Sequence, residues 1–264
     1  ITRNVLEIPA GFISDTLGRR KTMVTSFSFY IVSFIVFYLS HTYGFFILAM
    51  VLFAVGDAFR TGTHKAMIFT YLKLNGWEDQ KVAYYGNTRS WSQIGSAISS
   101  LIAALIIFYQ GSYRDIFLFT IIPYILDLFN VMSYPSKLEG AISSEASLKD
   151  SFRKVGKAFK TSFRNLTIIR SLVNVSSHSG FYKAAKDYLQ PVVKTFALSL
   201  PVMAAFSDKQ RTAVLIGLIY FIIYLITSSA SRNSGRFKDS FKTFSVPLNL
   251  TVAVGLLMGM ASGL

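Results

Sequence analysis

The positions where this chain could do chemistry are acids and bases set inside apolar sequence. Arg3 and Glu7 are spaced i,i+4 in the opening stretch, and Asp57 and Arg60 are spaced i,i+3 in another. Asp127 stands in a third, with no base near it in sequence. A charge inside a bilayer is costly, so it faces a partner or a watery cavity rather than lipid. Each pair therefore reads in two ways, as a structural lock between helices or as cavity lining. Asp127 is either a proton carrier or an acid bonded to a neighbouring helix.

A further group lies in "NVSSHSGFYKAAKDYLQP", residues 174–191. Asn174 and His178, one helical turn apart, are cavity candidates, although a buried histidine with its bonds satisfied fits equally. Lys183 and Asp187, again i,i+4, with Lys186 between them, form either an outer gate pair or a helix end whose lysines reach for water. No other reactive set is visible. Cysteine is absent, and His41, His64 and His178 are scattered without ligand spacing. There is no Ser-His-Asp arrangement, phosphate-binding glycine loop or metal cluster. The expectation is no enzyme, no catalytic residue, no metal and no cofactor.

The elements that must hold these groups are apolar and long. The chain of 264 residues is 52% hydrophobic and only 15% charged, with mean hydropathy +0.45. A soluble domain carries about 25% charged residues, so the deficit points to a membrane protein. Thr22–Ser40, Phe45–Phe59, Ile94–Tyr109, Ile116–Tyr134, Thr212–Ala230 and Phe244–Leu264 read as spans or near-spans, since about 20 helical residues cross a bilayer core. Leu166–Leu189 is the weakest span and Ile1–Ser14 the tail of another, giving eight helices in a piece of a longer chain.

The net charge of +14 first suggests nucleic acid, but the distribution of the bases answers that. Stretches 19–21, 60–91, 135–170 and 232–242 hold 20 of the 27 bases, while the alternate connections hold only Arg114, Lys194, Lys209 and Arg211. Alternation of that kind is the positive-inside pattern, and no nucleic-acid partner is needed. The longest polar connection, 135–165, repeats Leu148, Phe152, Val155, Phe159 and Phe163 at intervals of three and four. It reads as a basic amphipathic helix on the anionic cytoplasmic leaflet, or as a solvated linker.

The stretch "GFISDTLGRRK", residues 11–21, follows "EIPA" between two apolar runs. It resembles the signature loop of the major facilitator superfamily, Gly-x-x-x-Asp-x-x-Gly-Arg-Arg/Lys, between its second and third helices. Gly11, Asp15, Gly18, Arg19 and Arg20 take the matching positions, and Thr16 stands where a base is usual. The resemblance implies an all-α membrane bundle of two pseudo-symmetric six-helix halves, incomplete here. Residues 1–134 would be the N-terminal half without helix one, 135–165 the cytoplasmic linker, and 166–264 the start of the C-terminal half without helices ten to twelve. In the family this loop is understood to hold one conformational state. Gly11 would permit close helix approach, Asp15 would face a helix N-terminus or an arginine, and Gly18 would allow a sharp turn. Arg19 and Arg20 would anchor the loop among phosphates and carboxylates.

Such transporters are built from parallel repeats. A shift of 217 places Ser231, Gly235, Arg236 and Lys238 beneath Ser14, Gly18, Arg19 and Lys21, with Arg232 beneath Asp15. The stretch "GDAFRTGTHKAMIFTYL", residues 56–72, resembles the cytoplasmic end of the family's helix four, but its Arg60-to-Gly62 spacing gives no proton-coupling role to Arg60. Gly95, Ser92, Ser96, Ser99 and Ser100 give the next span a small-residue face suited to close packing. The resemblance implies a monomeric secondary transporter in the cytoplasmic (inner) membrane. It would move a small solute by alternating access, with protons as the expected coupling ion and efflux the expected direction. A receptor or scaffold on the same fold is the alternative.

Overall fold

The computed structural model describes residues 10, 11, 13, 14, 18–139, 165–199, 205–241, 246, 249, 250 and 253. Arg3, Glu7, Asp15, the amphipathic part of the linker and most of the last expected span lie outside them. The described residues form helices and no strands. In chain order these are α1 (Arg19–Leu39), α2 (Tyr43–Leu74), α3 (Lys81–Gln110), α4 (Arg114–Met132), α5 (Leu166–Ser199), α6 (Asp208–Arg232) and the short α7 (Ser234–Asp239). Single 3-10 turns occupy Glu78–Gln80 and Ser136–Leu138.

Five of these helices, all but α5 and α7, are long and apolar enough to cross a membrane. Their exposure is inverted relative to a soluble protein. Met50, Leu126 and Ile226 are 64%, 64% and 66% exposed, whereas Ser26, Ser33 and Ser90 are fully buried. Water would drive those apolar side chains inward, but a lipid solvent leaves them outside and puts hydroxyls between helices. α5 is a single helix of 34 residues carried through Pro191, so the weakest expected span is at least continuous helix.

The connections are shorter than the sequence suggests. Stretch 60–91 reads as a loop because Arg60, Lys65, Lys73, Lys81 and Arg89 interrupt the apolar runs. The helices continue through all of it except 75–80. At 1.5 Å per residue α2 is about 48 Å long, against a hydrocarbon core of about 30 Å, so its last turns, with Lys65 and Lys73, project past the bilayer while Arg60 stays within it. Arg19 to Lys21 likewise form the first turn of α1 rather than a loop.

Contacts divide the chain into two compact units, Ile1–Lys81 with Tyr109–Ser151, and Val82–Phe108 with Phe152–Leu264. In the first, α1 is the central element and runs antiparallel to both α2 and α4. One stripe of α1 presents hydroxyls to α2. Ser26 Oγ donates to Gly56 O at 2.6 Å, and Ser33 Oγ to Ala49 O at 2.9 Å. The adjacent stripe, Phe27, Tyr30, Phe34 and Phe37, interleaves with Phe117 and Tyr124 of α4. Ring centroids there are 5.0 Å apart for Tyr30–Tyr124 and Phe34–Tyr124, and 4.8 Å for Phe37–Phe117. Hydroxyl bonds of this kind average about 0.6 kcal/mol in a bilayer, so close packing carries most of the association.

In the second unit α3 packs along α6. The buried face of α3 is Gly86, Ser90, Gln93, Ala97, Ala104 and Ile107. Among the described residues a Cβ at Gly95 would meet nothing within 4 Å and Ser92 and Ser99 are exposed, so the face that meets α6 is a different one. Ser100 does reach α6, donating to Gly217 O at 3.1 Å. Ser90 and Ser228 pair through their hydroxyls at 2.8 Å. At Gly217 a Cβ would come within 2.6 Å of Ala104 Cβ, so only glycine allows the approach. Ser207 caps α6 with a reciprocal bond pair to Gln210, whose side chain also donates to Phe108 O at 2.9 Å.

Candidate functional site

The signature stretch meets the structure at Gly18, the N-cap of α1. Its φ of 93° lies in the region where a Cβ would strain the backbone. Two arginines follow at a helix N-terminus, where the dipole disfavours positive charge, so partners must hold them. Arg19 Nη1 donates to Ala66 O at 3.3 Å and to Thr70 Oγ1, both on the projecting end of α2. Arg20 donates to Tyr134 O at 3.3 Å and forms an ion pair with Glu139 at 3.5 Å, just past α4. The two side chains thus tie the start of α1 to the ends of both neighbours. Arg20 meets a carboxylate and a carbonyl, and Arg19 a carbonyl and a hydroxyl. Ser14 accepts from Thr63 Oγ1 at 3.1 Å. Gly11 is exposed, and among the described residues a Cβ there would meet nothing within 4 Å.

Within the helices, the structure gathers groups that sequence left separate. Tyr30 of α1, almost wholly buried, donates its phenolic hydrogen to Asp57 Oδ1 of α2 at 3.0 Å. Arg60 lies one turn further along α2. Tyr124 of α4 packs on Tyr30, and Asp127 lies one turn further along α4. Because α2 and α4 are parallel, both steps lead the same way, so Arg60 and Asp127 lie on the same side of the Tyr30–Tyr124 contact. By helical rise, Asp57 is about 21 Å from Tyr43 and Asp127 about 20 Å from Arg114, a common depth of about two-thirds of a bilayer core. Asp57 is half-buried, whereas Arg60 and Asp127 are exposed on the face of this unit. Two acids and one base, assigned to different elements, form one layer.

Several participants have no signal of their own in sequence. Tyr30 is one tyrosine among 14, and only the position of α1 against α2 singles it out. Arg114, read only as a base in an outer connection, closes the opposite end of the unit. Its Nε donates to Tyr38 O, its guanidinium lies 5.0 Å from the Tyr38 ring centroid, and Nη2 is 3.3 Å from His41 Nε2. In the second unit, Asn174, His178, Lys183, Lys186 and Asp187 all fall on α5, with side chains outside the described set.

The repeated stretch behaves differently from its counterpart. Gly235 sits inside α7 rather than at a positive-φ turn, and its missing Cβ admits Ala83, which a Cβ would approach to 3.2 Å. The Arg236 side chain bonds Asn233 at 3.5 Å, and Arg232 lies over the Trp91 ring, 5.7 Å from its centroid. Among the described residues these contacts differ from those of Arg19 and Arg20.

Inverted exposure, apolar helices of spanning length and intrahelical charges in one layer define a multi-pass, all-α membrane protein. Residues 2–264 match the family model of the Major Facilitator Superfamily, so the chain belongs to that family of membrane transporters. No curated protein and no solved structure matches it.

Proposed function

We propose that the chain is the transporting core of a secondary active carrier that moves a small solute by alternating access, driven by protons and directed outward. The observation that carries this reading is the intramembrane layer of Asp57, Arg60 and Asp127, because ionisable groups at that depth mark an ion or substrate path. Arg3 and Glu7 belong to the same reading as further intramembrane charges. The loop residues Gly11, Asp15, Gly18, Arg19 and Arg20 act as a latch for one state. The arginine bonds from α1 to α2 and α4 support it, since such contacts must break if those helix ends separate.

Asn174 and His178 line the solute path, and Lys183 with Asp187 closes its outer end. Residues 1–134 and 166–264 belong to two pseudo-symmetric halves joined by 135–165, which rests on anionic lipid of the cytoplasmic membrane. The carrier works as a monomer. A single cysteine at Asn174 in this cysteine-free sequence tests the proposal without a known solute. Impermeant thiol reagents should reach Asn174→Cys from either side of the membrane, and a reagent bound on one side should block the other. Reaction from one side only would contradict alternating access.

A further inference from the structure

The seam between α3 and α6 contains a polar atom that the fold leaves unused. Gln93 of α3 is 6% exposed, and among the described residues nothing donates a hydrogen bond to its buried Oε1. A buried carbonyl oxygen without a donor costs free energy, and leucine would fill the same space without that cost. The register of Gln93 is fixed from both sides. Seven residues before it Gly86 packs on the Ser231 carbonyl, and seven residues after it Ser100 donates to Gly217 O. Tyr224 likewise stands seven residues from Ser231 and seven from Gly217. Seven residues make about two turns, so Gln93 and Tyr224 occupy the same level on the facing stripes of antiparallel helices. Tyr220 lies one turn nearer Gly217, its ring centroid 5.9 Å from that of Tyr224. Residues 90–110 of α3 and 212–231 of α6 contain no charged residue.

We infer that Gln93 is a solute-contact residue whose Oε1 accepts a hydrogen from an uncharged molecule with a flat apolar body, held against the rings of Tyr220 and Tyr224. The inference rests on the transporter reading above and deepens it by naming the solute class. A lone acceptor calls for an N–H or O–H on the solute. Two facing stretches without charge make an ion costly at this level, and a tyrosine pair suits a ring. Entry requires α3 and α6 to part here. The seam permits it, because the close approaches at Gly86 and Gly217 and the single hydroxyl bonds of Ser90 and Ser100 hold it, rather than interlocked large side chains.

Thermal unfolding of the intact transporter in detergent, titrated with indole and with 1-methylindole, reads this directly, since the probes differ only at the ring nitrogen. In wild type indole should raise the melting temperature, with half its effect at a concentration about tenfold below that of 1-methylindole, the worth of one hydrogen bond. Gln93→Leu should melt no lower than wild type without probe and should treat the two probes alike. Gln93→Met, unbranched and of similar size, repeats the test should leucine fail to fold. Tyr224→Phe keeps the ring and should keep the preference. No response to indole, no preference in wild type, or a preference that survives in Gln93→Leu or Gln93→Met would each overturn the assignment. So would melting losses in Gln93→Leu and Tyr224→Phe that do not add in the double variant, because the two side chains would then bond each other. Binding is read without transport. Reaction of Asn174→Cys from one side only would therefore remove alternating access and leave this site, whereas a wild type without preference removes the site and leaves the carrier reading.

Discussion

The phenol of Tyr30 and the carboxylate of Asp57 face each other across 3.0 Å, joining α1 to α2 inside an aromatic core. Removing one partner of a buried bond leaves the other unsatisfied. In a double-mutant cycle of Tyr30→Phe and Asp57→Ala, unfolding in mixed micelles should give a coupling energy of about 1 kcal/mol, within the range for hydrogen bonds between membrane helices. A coupling of zero would mean that the bond does not form.

Gly217 and Gly95 should respond in opposite directions. Alanine at Gly217 forces a Cβ to 2.6 Å from Ala104 Cβ and 3.0 Å from Ser100 O. Overpacking of that kind costs about 1–3 kcal/mol. Alanine at Gly95 meets nothing and replaces a poor helix former, so it should be neutral or stabilising by up to about 1 kcal/mol. Thermal unfolding in detergent ranks the two. Equal losses would contradict the assigned face of α3.

Gly18→Ala should lower stability by about 1 kcal/mol or more, because φ is 93° and alanine avoids that region. Gly18→Asn should lose about as much, since ψ is 144°, outside the left-handed helical region that asparagine tolerates. The same melting experiment decides. If both substitutions leave the melting temperature unchanged, positive φ is not why glycine stands there.

Asp15→Asn should slow cycling while leaving insertion intact, because shape is kept and only the charge is lost. Arg20→Gln should cost about 0.5 kcal/mol or less in stability, since its ion pair with Glu139 is long and its side chain is 37% exposed. The first is read as the rate at which Asn174→Cys exchanges between the two sides, the second by thermal unfolding in detergent. Unchanged exchange in Asp15→Asn would count against a latch.

The apolar runs made the helices legible in sequence, since any segment facing lipid must be long and uncharged. Their ends were not legible. Arg60, Lys65 and Lys73 end a hydropathy run, but they do not end a helix that simply leaves the bilayer. Gly18 could be placed because a glycine before an arginine pair has a local backbone reason. Arg19 with Thr70, Arg20 with Glu139 and Tyr30 with Asp57 could not, because each depends on which faces of α1 meet α2 and α4. The face of α3 that meets α6 was hidden for a related reason. Ser92, Ser96 and Ser99 form a credible small-residue stripe, yet among the described residues it is Gly86, Ser90 and Ala97 that are buried.

The central claim is that the charged knot at residues 11–21 and the long connection at 135–165 share the cytoplasmic side, with the turn between α1 and α2 opposite. Single cysteines at Thr42 and Ser147, probed on intact cells with an impermeant thiol reagent, measure this directly. Ala205 serves as a third position between α5 and α6, chosen over its neighbour Ser207 because that serine caps α6. Thr42→Cys and Ala205→Cys should label, and Ser147→Cys should stay protected until the membrane is opened. Labelling of Ser147→Cys with protection of Thr42→Cys would reverse the orientation read from the 20 bases, and protection of Ala205→Cys alone would mean that α5 does not cross.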